Sequence, residues 1–323
     1  MHLVSRAMQL KDVRLSAAVV AESGLERKAY GRYLDRLPAA WTRCLREGSI
    51  MARVIEDMDQ VAAGVLGVGV SAFVSDEFVA ECKTAPLPWL GPTLLERVGI
   101  RNPPMLRPAA VRQANSGDGL NIAVWAGSIR RASNVPAFDL AMELGRAFYV
   151  EHQGYRLKEI ISQPLDPQIL RYTVNTGACL LLDDRGRETK TTDISAEFIA
   201  RPFLLSFTRE TVLQNPGSRN AELFHEEPAR IFFSDGEQRL LLAAIRGGTD
   251  EELADELGLS LSAVKKLWRS VYDRVASTSS DLLPSRRDSE NERGKEKKHK
   301  LLAYLRDHPR ELRPLQRPKK HKN

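Results

Sequence analysis

Cysteine is scarce in this chain: three residues in 323, at Cys44, Cys82 and Cys179. They are odd in number and widely spaced, with no CxxC pair and no histidine at ligand spacing. That excludes a disulfide framework and a zinc module and leaves reduced, structural thiols. No GxSxG, HExxH or paired-carboxylate arrangement appears, so no catalytic set, metal site or cofactor is expected. His152 and His225 sit beside glutamates but have no second histidine at ligand spacing. Apolar runs are short. The longest, 61–74, has fourteen residues with small interruptions, where a spanning helix needs about twenty, and it reads as a buried strand. Gly64, Gly67 and Gly69 spell GxxGxG inside that run, but no helix opens after them as a phosphate cradle requires; strand glycines at a bulge are the preferred reading. The opening MHLVSRAMQLKDVRL puts charges where a signal peptide has its apolar region, so a cytoplasmic protein without membrane contact is expected.

What is present allows two globular domains: the length is sufficient and 42% of the residues are hydrophobic. The net charge of +6 is uneven. From 291 to 323 twelve Lys or Arg stand against four acids, giving +8 and leaving −2 for the rest. Such a basic tail can add phosphate contacts to a nucleic-acid binder, or simply be a solvated terminus. Within it Leu301, Leu302 and Leu305 give 297–306 an apolar edge, so a short helix is expected that either docks or lies on DNA.

The spacing of Tyr30, Leu34, Leu37, Trp41 and Leu45 predicts one helix over 24–47, kinked at Pro38. Strands are predicted at 49–56 and 64–74, and a short helix opens at Asp76. Six prolines between 85 and 108 suggest a structured loop or short helix. A strand at 120–125, a helix from Pro136 to about Gly154, and strands at 179–183 and 200–207 follow. This order describes an α/β domain with a mixed sheet over 1–213, with 214–230 as linker.

The stretch 233–275, FSDGEQRLLLAAIRGGTDEELADELGLSLSAVKKLWRSVYDRV, is the most informative. Ser234 or Asp235 caps a first helix carrying Leu240, Leu241, Ala244 and Ile245, which stops at Gly247-Gly248. Thr249 stands at capping-box spacing before Glu252, and the next helix buries Leu253, Ala254 and Leu257 before Gly258. Ser260 then caps a last helix, 261–275. Val264, Leu267, Trp268 and Val271 face inward, while Ser262, Lys265, Lys266 and Arg269 face outward.

This segment resembles the LuxR-type helix-turn-helix domain without a gap. The matching positions are Glu237, Leu240, Leu241, Gly247, Glu252, Leu253, Ala254, Leu257, Gly258, Ser260, Val264, Lys265, Val271 and Tyr272. Gly236, Ala263 and Leu267 depart from the pattern; an alanine at the third residue of the last helix removes a hydroxyl that could donate to a phosphate. The resemblance implies an all-α domain over 231–277 that binds double-stranded DNA through the major groove. The DNA-binding residues would be Thr249, Ser260, Ser262, Lys265, Lys266, Arg269 and Arg274. Segment 278–323 would be a basic, partly disordered tail. The protein as a whole would then be a bacterial transcription regulator and not an enzyme. Its 1–213 domain would answer a small-molecule or protein signal, and a homodimer would cover two half-sites.

Two weaker likenesses remain. The helical segment could be a three-helix part of an enzyme or resemble the promoter-reading region of sigma factors, although no sigma-like core-polymerase segments precede it. The strands of 64–74 followed by AlaPheTyrValGluHisGlnGlyTyrArg at 147–156 resemble the order of GNAT-type acyltransferases. Their pyrophosphate loop has no copy at a strand-to-helix junction here, so that likeness implies a catalytically silent domain, with a GNAT-like acyltransferase carrying a helical appendage as the alternative. Neither an acyl-homoserine-lactone pocket nor a phospho-receiver site can be placed.

Overall fold

The computed structural model describes residues 2–59, 64–130, 134–177, 179–245, 247–282 and 290–316. Two units emerge: Met1–His152 with Arg156–Phe224, and Gln153–Tyr155 with His225–Asn323. Residue 61, where the apolar run opens, and Arg317, Lys319, Lys320 and Lys322 lie outside the described residues, as do the side chains of Arg293 and Lys295.

The first unit is α/β. Its elements in order are Leu3–Ala7 (β1), Val13–Glu22 (α1), Gly24–Tyr30 (α2), Leu37–Glu47 (α3), Met51–Asp57 (β2), Gly67–Val74 (β3), Asp76–Lys83 (α4), Leu90–Arg97 (α5), Pro108–Ser116 (α6), Leu120–Ile129 (β4), Ala137–His152 (α7), Leu157–Ser162 (β5), Pro167–Val174 (α8), Leu180–Leu182 (β6), Glu188–Thr189 (β7), Ala196–Ile199 (α9), Leu204–Thr208 (β8), Arg209–Leu213 (α10) and Arg219–Phe224 (α11). One eight-stranded sheet runs β1-β2-β3-β4-β5-β8-β6-β7. Every pairing is antiparallel except β4 with β5, joined by α7 as a crossover. The sheet is therefore mixed, as the sequence order implies.

The central strands are apolar on both faces because helices cover both. Val68, Val70, Ala72 and Val74 of β3 face a core shared with α1, α3, α4 and α5. On the other face α7 buries Leu140 and Leu144 against Ile55 and Ile129, a helical spacing matched to one stripe. Gly67 and Gly69 lie beneath this helix. A Cβ on Gly67 would stand 3.2 Å from Ile55 Cγ1 and 3.6 Å from Leu144 Cγ. They are strand glycines beneath a helix, and the β3–β4 register shifts between Val70 and Ser71, just after them.

Several expectations are revised. The single helix over 24–47 is two helices separated by a 3-10 stretch, Gly31–Arg36. Gly31 leaves α2 at φ 50°, and Pro38 falls in the first turn of α3, where its missing N–H costs nothing. The expected linker 214–230 contains α11, whose Leu223 and Phe224 are buried in the first unit. The cue for a linker, AsnProGlySerArgAsn, is only the turn before that helix.

The second unit is helical: Asp235–Ile245 (α12), Asp250–Leu257 (α13), Leu261–Thr278 (α14) and Glu290–Asp307 (α15). The tail is not a loose appendage where it is described. Leu301, Leu302 and Leu305 of α15 and Leu312 beyond it join Leu240, Leu241, Leu253, Val264 and Val271 in one core. Three helices of this length bury little surface alone, and α15 completes the core. Accordingly Leu305→Ala, which empties a site that is 0% exposed, should destabilise this unit by about 2 to 5 kcal/mol in urea unfolding. A loss below about 1 kcal/mol would mean that α15 is not part of its core.

Candidate nucleic-acid interface

Each helix of the second unit is fixed at its ends by local chemistry. Ser234 and Glu237 form a reciprocal pair at the start of α12: Ser234 N–H donates to Glu237 Oε2 at 2.7 Å, and Glu237 N–H to Ser234 Oγ at 3.5 Å. Thr249 and Glu252 repeat this at α13, with Thr249 N–H donating to Glu252 Oε2 at 2.7 Å. Gly258 closes α13 in the left-handed region at φ 64°, where a side chain would be strained. Ser260 caps α14 by accepting from Ala263 N–H at 3.2 Å. The chain thus reverses twice within about thirty residues, and α14 emerges with a defined orientation on α12 and α13.

On α14, Val264, Trp268, Val271 and Val275 are buried, while Lys265, Lys266 and Arg269 are exposed on the opposite side. Ser262 is exposed at the same end, its hydroxyl 3.0 Å from that of Ser260. Thr249 is exposed and acts as the α13 cap. Six of the seven residues expected at the interface therefore lie on the surface of α14 or at the caps leading to it. Leu267, expected inward, is half-buried at the core's edge. A Cβ on Gly236 would meet Leu267 Cδ2 at an ordinary 3.5 Å; nothing in the structure explains the glycine there.

Arg274 is the exception. Its guanidinium is turned back to Glu237, with Nε–Oε2 at 2.7 Å and Nη2–Oε1 at 3.2 Å. Glu237 is 1% exposed and also receives Ser270 Oγ at 2.7 Å. A buried carboxylate needs such partners, so Arg274 ties α14 to α12 and is withdrawn from the outward face. Burial alone pushes the Glu237 carboxyl up, but Arg274, the Ser234 N–H and Ser270 outweigh it and hold it down at about 2.

Sequence reasoning missed a second internal contact. Asp250 accepts from Trp268 Nε1 and from Lys298 Nζ, both at 3.2 Å, and Lys298 sits 5.0 Å from the centre of the Trp268 ring. Lys298 is thereby engaged inside the unit. Other tail cations are engaged too: Lys300 with Glu296 at 2.8 Å, Arg310 with Glu226 at 3.5 Å, and Arg306 with the Ile245 carbonyl at 3.4 Å. Of the two expectations for 297–306, the docked helix is the one seen, with Lys298 drawn into the unit. The apolar edge of α15 was the available signal.

The remaining residues singled out in the sequence are accounted for structurally. His152 is a core histidine: Nδ1 lies 2.7 Å from the Phe148 carbonyl and Nε2 3.0 Å from Ser71 Oγ. Among the described residues no group of three or more His, Cys, Asp or Glu could hold a metal ion, and no helix is long and apolar enough to cross a membrane. Burial pushes the Cys44 thiol up, Cys82 to about 12 and Cys179 to about 11, which leaves them unreactive. The β4-to-α7 junction, 130–136, contains no glycine.

No protein-family model and no curated protein matches the chain. Among solved structures it is similar to an N-acetyltransferase from Staphylococcus aureus Mu50, at 12% identity and a TM-score of 0.33, over 64% of this chain and 99% of that one. A likeness at that score carries no argument.

The Glu237 clasp makes stability depend on pH. Its carboxyl is held below the ordinary 4.5 in the folded protein, so its stabilising contribution is complete above that value and is lost as pH falls toward about 2. Arg274→Ala, which strands a buried charge, should cost about 3 to 5 kcal/mol near neutral pH. It should also flatten the acid limb of stability against pH, as followed by helical circular dichroism. An unchanged acid limb would remove the clasp from the account.

Proposed function

We propose that the second unit binds double-stranded DNA, with the N-terminal half of α14 in the major groove, and that the protein is a transcription regulator whose first unit answers a ligand or partner. The observation that carries this reading is the exposed row Lys265, Lys266 and Arg269 on a helix whose other side closes the core. Long cationic side chains on a rigid helix suit both base edges and phosphates. Ser260 and Ser262 at the helix start add hydroxyls within reach of a phosphate. Arg274 takes no part.

Five of the eight residues of α13 are acidic, from Asp250 to Glu256. Lys298 neutralises Asp250, and Glu252 is occupied by the Thr249 N–H. The exposed Glu251 and Asp255 repel phosphates, so contact is confined to α14 and its leading turn. One such helix binds weakly, and a homodimer on two half-sites one turn apart supplies the missing affinity. The acyltransferase alternative has less support, because the 130–136 junction lacks the glycines that let a backbone cradle a pyrophosphate.

Fluorescence anisotropy with a selected duplex tests the reading. Arg269→Ala should weaken specific binding by about 1 to 3 kcal/mol if the side chain reads a base. Lys265→Ala should weaken all sequences alike and make log affinity against log salt shallower by roughly 0.9 for each phosphate it no longer neutralises. Wild-type affinity in both variants would assign the wrong face.

A further inference from the structure

Within the first unit a cavity of about 130 Å³ lies between the sheet and its helices. Most of its wall is apolar, with Leu144, Phe148 and Ile169 as examples; one part carries Glu26, Tyr30 and Trp125, and Arg53 and Arg219 also line it. Glu26, Tyr30 and Trp125 are 6%, 1% and 3% exposed, so bulk solvent does not reach them. Neither the Tyr30 hydroxyl nor the Trp125 indole N–H has a hydrogen-bond partner of ordinary geometry. Trp41 Nε1 and Ser16 Oγ also lack partners but do not line the cavity; Tyr30 and Trp125 do, and an acceptor on a ligand there would satisfy two donors at about 1 to 3 kcal/mol each. The helix α5 presses on the same spot. A Cβ on Gly91 would fall 2.3 Å from Tyr30 Oη, so the glycine keeps room for that hydroxyl.

Glu26 is the third member. Burial raises its carboxyl to about 8, Asp166 adding to the rise and the Ser128 hydroxyl, 3.4 Å away, opposing it. At neutral pH it is chiefly an acid that can donate a proton. The Tyr30 hydroxyl is pushed well above its usual value by burial first and Glu26 second, with the Trp125 indole opposing. All three groups thus offer hydrogens. An ammonium would leave Tyr30 and Trp125 without acceptors, and a carboxylate there would leave water to meet uncharged donors, because the lining arginines are engaged, Arg53 with Glu151 and Arg219 over the Tyr149 ring.

We propose that this cavity binds a small neutral molecule bearing a hydrogen-bond-accepting oxygen, of the class of ketones and related carbonyl compounds, held by Tyr30 Oη and Trp125 Nε1. Its apolar body occupies the Leu144–Phe148–Ile169 side. An apolar cavity of roughly 150 Å³ takes benzene, so a cavity of about 130 Å³ admits about one ring. The inference gives chemical content to the ligand-responsive reading of the first unit and rests on that reading only for its regulatory meaning.

The test uses the full chain with ¹⁵N-labelled indoles. There are four tryptophans, and Trp125→Phe assigns the resonance. Acetophenone is titrated against isopropylbenzene, which has nearly its shape and no acceptor. Acetophenone should move the Trp125 N–H downfield with saturation, and isopropylbenzene should not. Tyr30→Phe should weaken acetophenone about fivefold and leave isopropylbenzene unchanged, which also reports an intact cavity. An unmoved Trp125 resonance, equal binding of isopropylbenzene, or tighter binding of benzylamine would overturn the proposal, the last by making Glu26 a cation site. No DNA enters this measurement, so its failure and that of the DNA-binding reading are distinguishable.

Discussion

The second unit depends on one buried carboxylate. Glu237 sits at the third position of α12, where it completes the cap on Ser234, and the same two oxygens receive Ser270 and Arg274 from α14. A single group therefore fixes where α12 begins and how α14 lies across it. Because the carboxylate is out of water, the geometry is all or none: a loosened partner leaves a charge without solvation. The outward row on α14 has a defined direction because the inward row and this clasp leave α14 no freedom to roll. Asp250, with Trp268 and Lys298, repeats the device at the start of α13 and draws α15 into the same core.

The first unit is organised by a different constraint. Its central strands are covered on both faces, so they are apolar on both, and α7 crosses from β4 to a parallel β5 above Gly67 and Gly69. Polar groups in such an interior must find partners. Most do, as His152 does with Phe148 and Ser71. Among those that do not, Tyr30 and Trp125 line one chamber together.

Local signals were legible in the sequence and long-range ones were not. The Thr249–Glu252 capping pair, a cap at Ser234 or Asp235, the stop at Gly258 and the alternation of inward and outward positions on α14 follow from spacing alone, while Glu237 as the partner of Ser234 does not. So do β3, α4 and α7, each with a strong period or a capping residue. The opening strand β1 was not legible. Its identity comes from pairing with β2, Leu3 opposite Asp57, and its own residues mix charge with apolar groups. The Arg274–Glu237 clasp spans 37 residues, and Arg274 looked like another outward cation until its partner was known. The apolar edge of α15 was visible, but whether it met DNA, a second subunit or its own domain was a tertiary question. Glu26 and Trp125 carried no mutual signal across the chain that separates them.

The claim that α14 reads DNA stands or falls on sequence selection. The full chain would be incubated with a random duplex library at fixed ionic strength, and bound molecules recovered and sequenced over successive rounds. The account predicts a convergent motif, with two half-sites about one helical turn apart, that a Lys266→Ala, Arg269→Ala double variant does not recover. A flat distribution for the wild type, or the same motif from the double variant, would contradict it.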